Sequence, residues 1–271
     1  MTRNPPRKAA AAGDRLFVGS LEKALKVLYA FGSQDPQLTI TEIARATGLN
    51  MSAAQRFTHS LTAMKLIDKD ARTKQYRLSP RMLDFAYFYL RSDLLTTVAH
   101  PHLQRLAVAT GEYANLSILD RADVIYLARL AGTQEREEPY LVGGRMPTFC
   151  TSNGRAMLAH LPDDEVREIL EESDRRPLTP MSITEPARIM RKINEARESG
   201  YSIVDEESEI GVISAAAPIL DDAGRPAGAI NSPVPKRTWT MDKVRSKLAP
   251  QLVHTAEIIG RSLNGRGRQR Y

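Results

Sequence analysis

The chain has 271 residues, 42% of them hydrophobic, and a net charge of +6. That is long enough for one large or two ordinary domains with a sizeable core. No apolar run approaches the ~18 residues that a spanning helix needs, so no membrane partner is expected. The single cysteine, Cys150, excludes an intrachain disulfide framework and fits a reducing, cytoplasmic setting. The charge is unevenly placed. Residues 1–92 carry 15 Lys/Arg against 7 Asp/Glu, a balance of +8, and residues 93–271 carry 23 against 25, a balance of −2. The positive field belongs to the first third, where it would draw polyanions.

Residues 1–15 are basic and rich in Ala and Pro, lack the apolar centre of a secretory signal, and read as a disordered tail. From Ser20, apolar Leu21, Ala24, Leu25, Leu28 and Phe31 recur at helical spacing, and Gly32 stops the helix. Thr39 to Glu42 reads as a capping box for a second short helix. Ile40, Ile43 and Ala44 form its apolar side and Gly48 ends it. Asn50 or Met51 opens a third helix, to about Leu66, with Ala54, Phe57, Leu61 and Met64 inward. Leu66–Lys69 and Gln75–Leu78 make a hairpin around the tip Asp70–Lys74. Ser79 and Pro80 should cap a fourth helix to about Arg91. Its Leu83, Phe85, Tyr87, Phe88, Tyr89 and Leu90 leave it apolar nearly all round, so it should be buried against another element or another subunit.

The second part begins near Asp93 with a helix from Leu94 to Ala109, stopped by Gly111. Ala114–Leu119 and Val124–Leu130 read as a hairpin, and a further strand is expected at 139–142. A short helix is expected from Gly154 to Leu161, then charged helices at about 163–173 and 184–199. Thr184 is the expected cap of the latter, with Gly200 after its end. Val212–Leu220 and Pro226–Asn231 look like paired strands. A last helix, about Met241 to Leu263, should be interrupted or kinked at Pro250, and 265–271 reads as a frayed tail. The whole is α+β. Its expected domains are a winged helix-turn-helix over 16–79, a linker helix over 80–92 and a sensor domain over 93–264.

The helix-turn-helix signal is a constellation. Ala44 is small enough for two helices to approach, Gly48 permits the positive φ of the turn, and Ala54 and Phe57 pack the second helix onto the first. Ser52, Gln55, Arg56 and His59 then form one outward stripe of polar groups, next to Asn50. In a major groove Gln can pair with adenine and Arg with guanine. Arg72 and Lys74 at the hairpin tip suit phosphate contact. The ordinary alternative is a helical hairpin with a solvated face, but the whole set, followed by a hairpin within a +8 segment, points to double-stranded DNA. One unit makes few base contacts, so a homodimer or tetramer is expected, with the aromatic linker helix as a plausible dimer surface.

The residues resemble the IclR family of bacterial regulators. The likeness rests on residues 17–25, on Ile43-Ala44 with Thr47-Gly48-Leu49, and on Tyr76 to Pro80. It continues in Arg145-Met146-Pro147 with Cys150 to Ala156, then in Gly200-Tyr201, Asp205-Glu206-Glu207, Ile210-Gly211-Val212 and Ala216 to Ile219. Within the family the chain looks closest to regulators of protocatechuate and 4-hydroxybenzoate catabolism. It departs from them in Met51, Ser52 and Gln55, where arginines are more usual, and in Asn153, where a larger residue is usual. The resemblance implies a GAF-like effector-binding domain, a cytoplasmic, nucleoid-associated protein, and an effector such as an aromatic carboxylate. The implied pocket comprises Met146, Cys150, Thr151, Ser152, Asn153, Gly154, Val204, Asp205, Val212, Ser214, Asn231 and Pro233. Met146 and Val212 suit an aromatic ring, Ser214 and Asn231 could fix a phenolic hydroxyl, and a helix starting near Gly154 would offer N–H groups to a carboxylate. The plainer readings are a helix N-cap for Thr151-Ser152-Asn153 and satisfied core polarity for Ser214 and Asn231.

No cofactor is expected and no metal cluster is evident. A thiol hydrolase built on Cys150 would need a base, and none of His59, His100, His102, His160 and His254 is tied to it by a motif. The remaining alternative is a sensor that acts by protein contact, with an incidentally basic first domain.

Overall fold

The computed structural model describes residues 16–32, 35–133 and 141–267. The tail expected at 1–15 lies outside them. The chain divides into two compact units, one up to Tyr89 and one from Leu90.

In the first unit three helices, α1 (Gly19–Ala30), α2 (Ile40–Thr47) and α3 (Met51–Ala63), precede a hairpin of β1 (Ile67–Lys69) and β2 (Tyr76–Leu78). Val27, Phe31, Leu38, Ile43, Leu61, Ile67 and Tyr76 form the core. The capping box is present: Glu42 N–H donates to Thr39 Oγ1, and the Glu42 carboxylate accepts from Thr39 N–H at 2.8 Å. Those bonds hold the Glu42 carboxyl below its ordinary range. Gly48 takes the left-handed conformation, φ 68°, that the tight turn requires. Leu38 exchanges two backbone hydrogen bonds with Tyr76, which ties the hairpin to the start of α2.

Three expectations need correction. On α1 the buried residue is Val27, which joins the expected Leu28 and the C-cap Phe31 on the core, while Leu21 and Leu25 are 61% and 41% exposed. That helix carries two apolar stripes and packs only one of them on α2 and α3. On α3, Thr58 takes the inward place given to Met64, because the helix ends at Ala63 and Met64 turns out to solvent. Helix α4 (Met82–Ser92) starts later than expected and has no buried residue among the described residues, with Leu83, Phe85, Tyr87 and Phe88 all more than half exposed. Ser79 does not cap it directly. Its hydroxyl accepts from Arg81 N–H and donates to Lys65 O at the root of the hairpin.

The second unit is built on a six-stranded antiparallel sheet ordered β5-β4-β3-β8-β7-β6. The strands are β3 (Ala114–Asp120), β4 (Asp123–Leu130), β5 (Arg145–Pro147), β6 (Ser202–Asp205), β7 (Val212–Leu220) and β8 (Pro226–Pro235). The strand expected at 139–142 lies partly outside the described residues, and Leu141 to Gly144 form a turn that leads into β5.

One face of the sheet is covered by α5 (Leu94–Thr110) and α10 (Ala249–Gly267). Leu116, Ile213, Ala215, Ala217, Ile219 and Ile230 point to them. Before α10 come the short α9 (Met241–Lys243) and a π-turn, Val244–Leu248, in which Ala249 N–H donates to Val244 O. Pro250 has no N–H to give and needs room for its ring, so the helix widens there rather than breaking. Residues 265–267, expected as part of a frayed tail, continue α10.

The other face carries α6 (Ser152–Leu158), which follows a 3-10 turn, Thr148–Cys150. Behind it α7 (Asp163–Glu172) and α8 (Pro186–Ser199) pack with Phe149, Cys150 and Leu158 into a separate apolar cluster. The cap of α8 is Glu185 rather than Thr184, its carboxylate accepting from the N–H groups of Ala187 and Arg188. Helix α6 starts two residues earlier than expected. A Cβ on Gly154 would lie 2.4 Å from Thr148 O, so this glycine lets α6 pack against the 3-10 turn.

Candidate functional site

Two sites emerge, one in each unit. In the first, α3 turns Ala54, Thr58 and Leu61 inward and leaves Ser52, Gln55, Arg56 and His59 exposed on its outer side. Asn50 is the N-cap, its Oδ1 accepting from Ala53 N–H at 2.8 Å, so it positions the helix as well as bordering its face. The hairpin tip is held by Asp70, whose carboxylate accepts from Arg72 N–H at 2.8 Å and Thr73 N–H at 2.7 Å. These donors lower the Asp70 pKa. The tip therefore presents the exposed Arg72 and Lys74 on a defined backbone, with Lys74 at φ 60°. Between α3 and the hairpin lies a cleft of about 330 Å3 lined by Ile40, Gln55, His59, Thr62, Lys69 and Tyr76. Lys69, not singled out from sequence, stands with Nζ 5.2 Å from the Tyr76 ring centroid and adds a cation to the same side.

In the second unit, residues on the α6 side of the sheet make a buried polar cluster in an otherwise apolar setting. Ser152 and Ser214 hydroxyls lie 2.8 Å apart, and Asn231 Nδ2 donates to Ser214 Oγ at 3.2 Å. Asn153 Nδ2 donates to Ser117 Oγ at 2.8 Å. Register carries Val204 and Pro233 to the same face, since both are direct partners of Ser214. Val212 joins them by alternation along β7. Met146 packs with Val124, Tyr126, Met157 and Ala229 beside them.

The remaining candidates stand elsewhere. Asp205 partners Ile213, so it faces the opposite side from Ser214, where its carboxylate pairs with Lys236 at 2.9 Å. Cys150 points into the cluster with α7 and α8, where burial pushes its thiol up to about 12. Thr151 Oγ1 donates to Pro147 O at 2.8 Å rather than capping α6. Among the described residues no group of His, Cys, Asp or Glu could hold a metal ion. No helix there is long and apolar enough to cross a membrane.

Residues 20–71 match the IclR helix-turn-helix domain, and residues 87–261 match the bacterial transcriptional regulator IclR C-terminal domain. The chain belongs to the IclR family. It is 33% identical over 260 residues to the Pca regulon regulatory protein of Pseudomonas putida, covering 96% of this chain and 89% of that one. It is 31% identical over 220 residues to the p-hydroxybenzoate hydroxylase transcriptional activator of Acinetobacter baylyi, covering 79% and 80%. The crystal structure of a transcriptional regulator from Rhodococcus sp. RHA1 superposes with a TM-score of 0.80 at 35% identity, covering 92% of this chain and 100% of that one.

As an IclR-family member the chain is a ligand-responsive, sequence-specific DNA-binding transcriptional regulator and not an enzyme. The same face of its sheet holds three residues that periodicity did not reveal, Asn115, Tyr126 and Arg129. A β-bulge shifts the register between Leu116 and Ser117, so that Ser117 partners Tyr126 while Leu116 partners Ala128. Leu127 is the extra residue. Tyr126 and Arg129, three apart, therefore share one face, and the Arg129 guanidinium lies 5.0 Å over the Tyr126 ring.

Proposed function

We propose that this regulator controls an operon for the breakdown of an aromatic acid and that an aromatic carboxylate bound on the α6 face of the sheet sets its affinity for operator DNA. The observation that carries the reading is the buried Ser152–Ser214–Asn231 cluster, with Asn231 Oδ1 left without a partner among the described residues, beside the apolar Met146 and Tyr126. Apolar walls with a few convergent polar groups are the usual make-up of a small-ligand site. The two relatives named for Pca and p-hydroxybenzoate regulation support the aromatic class.

On the DNA side, Ser52, Gln55, Arg56 and His59 read base edges, and Arg72, Lys74 and Lys69 contact phosphates. The protein works in the cytoplasm on the nucleoid as a homodimer or tetramer. The apolar side chains that the first unit leaves uncovered, Leu21 and Leu25 on α1 and Leu83, Phe85 and Phe88 on α4, supply the contact between copies. Ligand and operator are coupled because each binds two states of the dimer with different affinity, and the coupling is reciprocal.

The test is a mobility shift on the intergenic DNA upstream of the gene, with and without aromatic carboxylates. Arg56→Ala should weaken specific binding by about 1–3 kcal/mol, and affinity should fall steeply with salt. Binding indifferent to both would end the recognition-helix assignment. Operator affinity unmoved by every aromatic acid that binds the protein would end the coupling.

A further inference from the structure

The α6 face of the sheet carries a row of three polar side chains on adjacent strands. Arg129 on β4 is the direct partner of Asn115 on β3, and Asn115 is the direct partner of Asn231 on β8. Residues directly opposite one another share a face, and two strand spacings make the row about 10 Å long. Both asparagines are buried, and the Oδ1 atom of each has no partner among the described residues. The Asn231 amide is oriented by its Nδ2, which is spent on Ser214 Oγ at 3.2 Å, itself held by Ser152 at 2.8 Å. What it turns to the site is an acceptor. A buried acceptor needs a donor, and a carboxylate cannot supply one. At the other end of the row the guanidinium of Arg129 lies over Tyr126. It is permanently charged and presents a planar fork of donors that matches a carboxylate. Val124, Met146, Met157 and Ala229 pack with Tyr126 into the apolar surface beside the row.

Resting on the effector reading above, we propose that this row is the specificity element of the site and binds a hydroxylated aromatic carboxylate lengthwise. Arg129 takes the carboxylate, and the hydroxyl shares its one hydrogen between the carbonyls of Asn115 and Asn231 as a three-centre bond. A benzene ring with polar groups at opposite ends has the length and the apolar middle that the row requires.

The experiment is calorimetric titration of the full-length protein with three probes: 4-hydroxybenzoate, its neutral amide 4-hydroxybenzamide, and benzoate, which lacks the hydroxyl. Wild type should bind 4-hydroxybenzoate most tightly. Arg129→Gln should weaken 4-hydroxybenzoate by about tenfold or more while leaving the amide within about twofold, and Arg129→Lys should recover part of the preference for the acid. Asn115→Val should cut the preference for 4-hydroxybenzoate over benzoate by about threefold or more without changing benzoate affinity, because only the Asn231 carbonyl then remains to accept. Each variant carries its own reference probe, so a folding defect would lower both probes alike. No loss in Arg129→Gln, or a loss shared equally by acid and amide, overturns the assignment of Arg129. An unchanged preference in Asn115→Val overturns that of the asparagines. If wild type binds none of the probes while still binding operator DNA, the aromatic-effector reading falls and this row falls with it. If wild type binds them and the preferences do not move, only the row is wrong.

Discussion

The two faces of the six-stranded sheet are made by the same strands and differ in nearly everything else. Toward α5 and α10 the side chains are Leu, Ile, Val and Ala, packed into one continuous core that takes in the single buried hydroxyl of Ser232 on β8. Toward α6 the apolar surface is interrupted by Asn115, Ser117, Ser214 and Asn231, all buried, with Ser152 and Asn153 of α6 lowered onto them. The first face holds the domain together. The second gives up part of that stabilisation, since buried polar groups are costly unless fully paired, and two amide carbonyls here have no partner among the described residues. A face that stays polar and incompletely paired in a core is where a ligand finds its anchors.

That contrast can be broken at its strongest point first. Arg155 of α6 is fully buried and makes a bidentate pair with Glu207, both bonds 2.6 Å, while its Nε donates to Phe149 O. Glu207 also accepts from Ile183 N–H, so the pair fixes α6 to the segment after β6 and to the approach to α8. Glu207→Gln leaves a buried guanidinium without its counter-charge and should cost about 3–5 kcal/mol in denaturant unfolding. An unchanged midpoint would show that α6 needs no such brace.

On the opposite face Leu116→Ala removes a fully buried side chain from the main core and should cost about 3 kcal/mol by the same measurement. Its neighbour in sequence sharpens the comparison. Asn115→Val should leave unfolding free energy within about 1 kcal/mol of wild type, or raise it, because the carbonyl that disappears has no partner among the described residues. Two adjacent residues on opposite faces would thus separate stability from ligand recognition. A large loss in Asn115→Val would mean that the polar face is structural.

The smallest effect concerns Cys150. Burial lifts its thiol from 9.0 to about 12, so at pH 8 the folded protein should react with iodoacetamide far more slowly than the urea-unfolded chain. The unfolded thiol loses its proton first as pH rises, so its contribution to stability falls between pH 9 and 12. Rapid native labelling would place Cys150 at the site after all.

Much of the first unit was legible from residue spacing, because its signals are local. A capping box, a left-handed glycine, an N-cap asparagine and a hairpin each act within a few residues, and all four are in the structure. The polar stripe on α3 follows from helical period alone. What local pattern could not decide was which of two apolar stripes on α1 faces inward, or that none of the residues of α4 is buried.

In the second unit the sequence determined most of the elements and, through the family resemblance, the neighbourhood of the polar cluster. The tertiary structure decided which of those residues meet. Asp205 and Val204 are adjacent in sequence, and pairing register puts them on opposite faces. Arg129 is the clearest case. Strict alternation from Tyr126 would place it on the α5 and α10 side. One extra residue in β4, visible only in the pairing of β4 with β3, turns it to the side of Asn115 and Asn231. Periodicity specifies a side chain's direction only while the ladder is unbroken, and a bulge is a property of two strands together, which neither sequence carries alone.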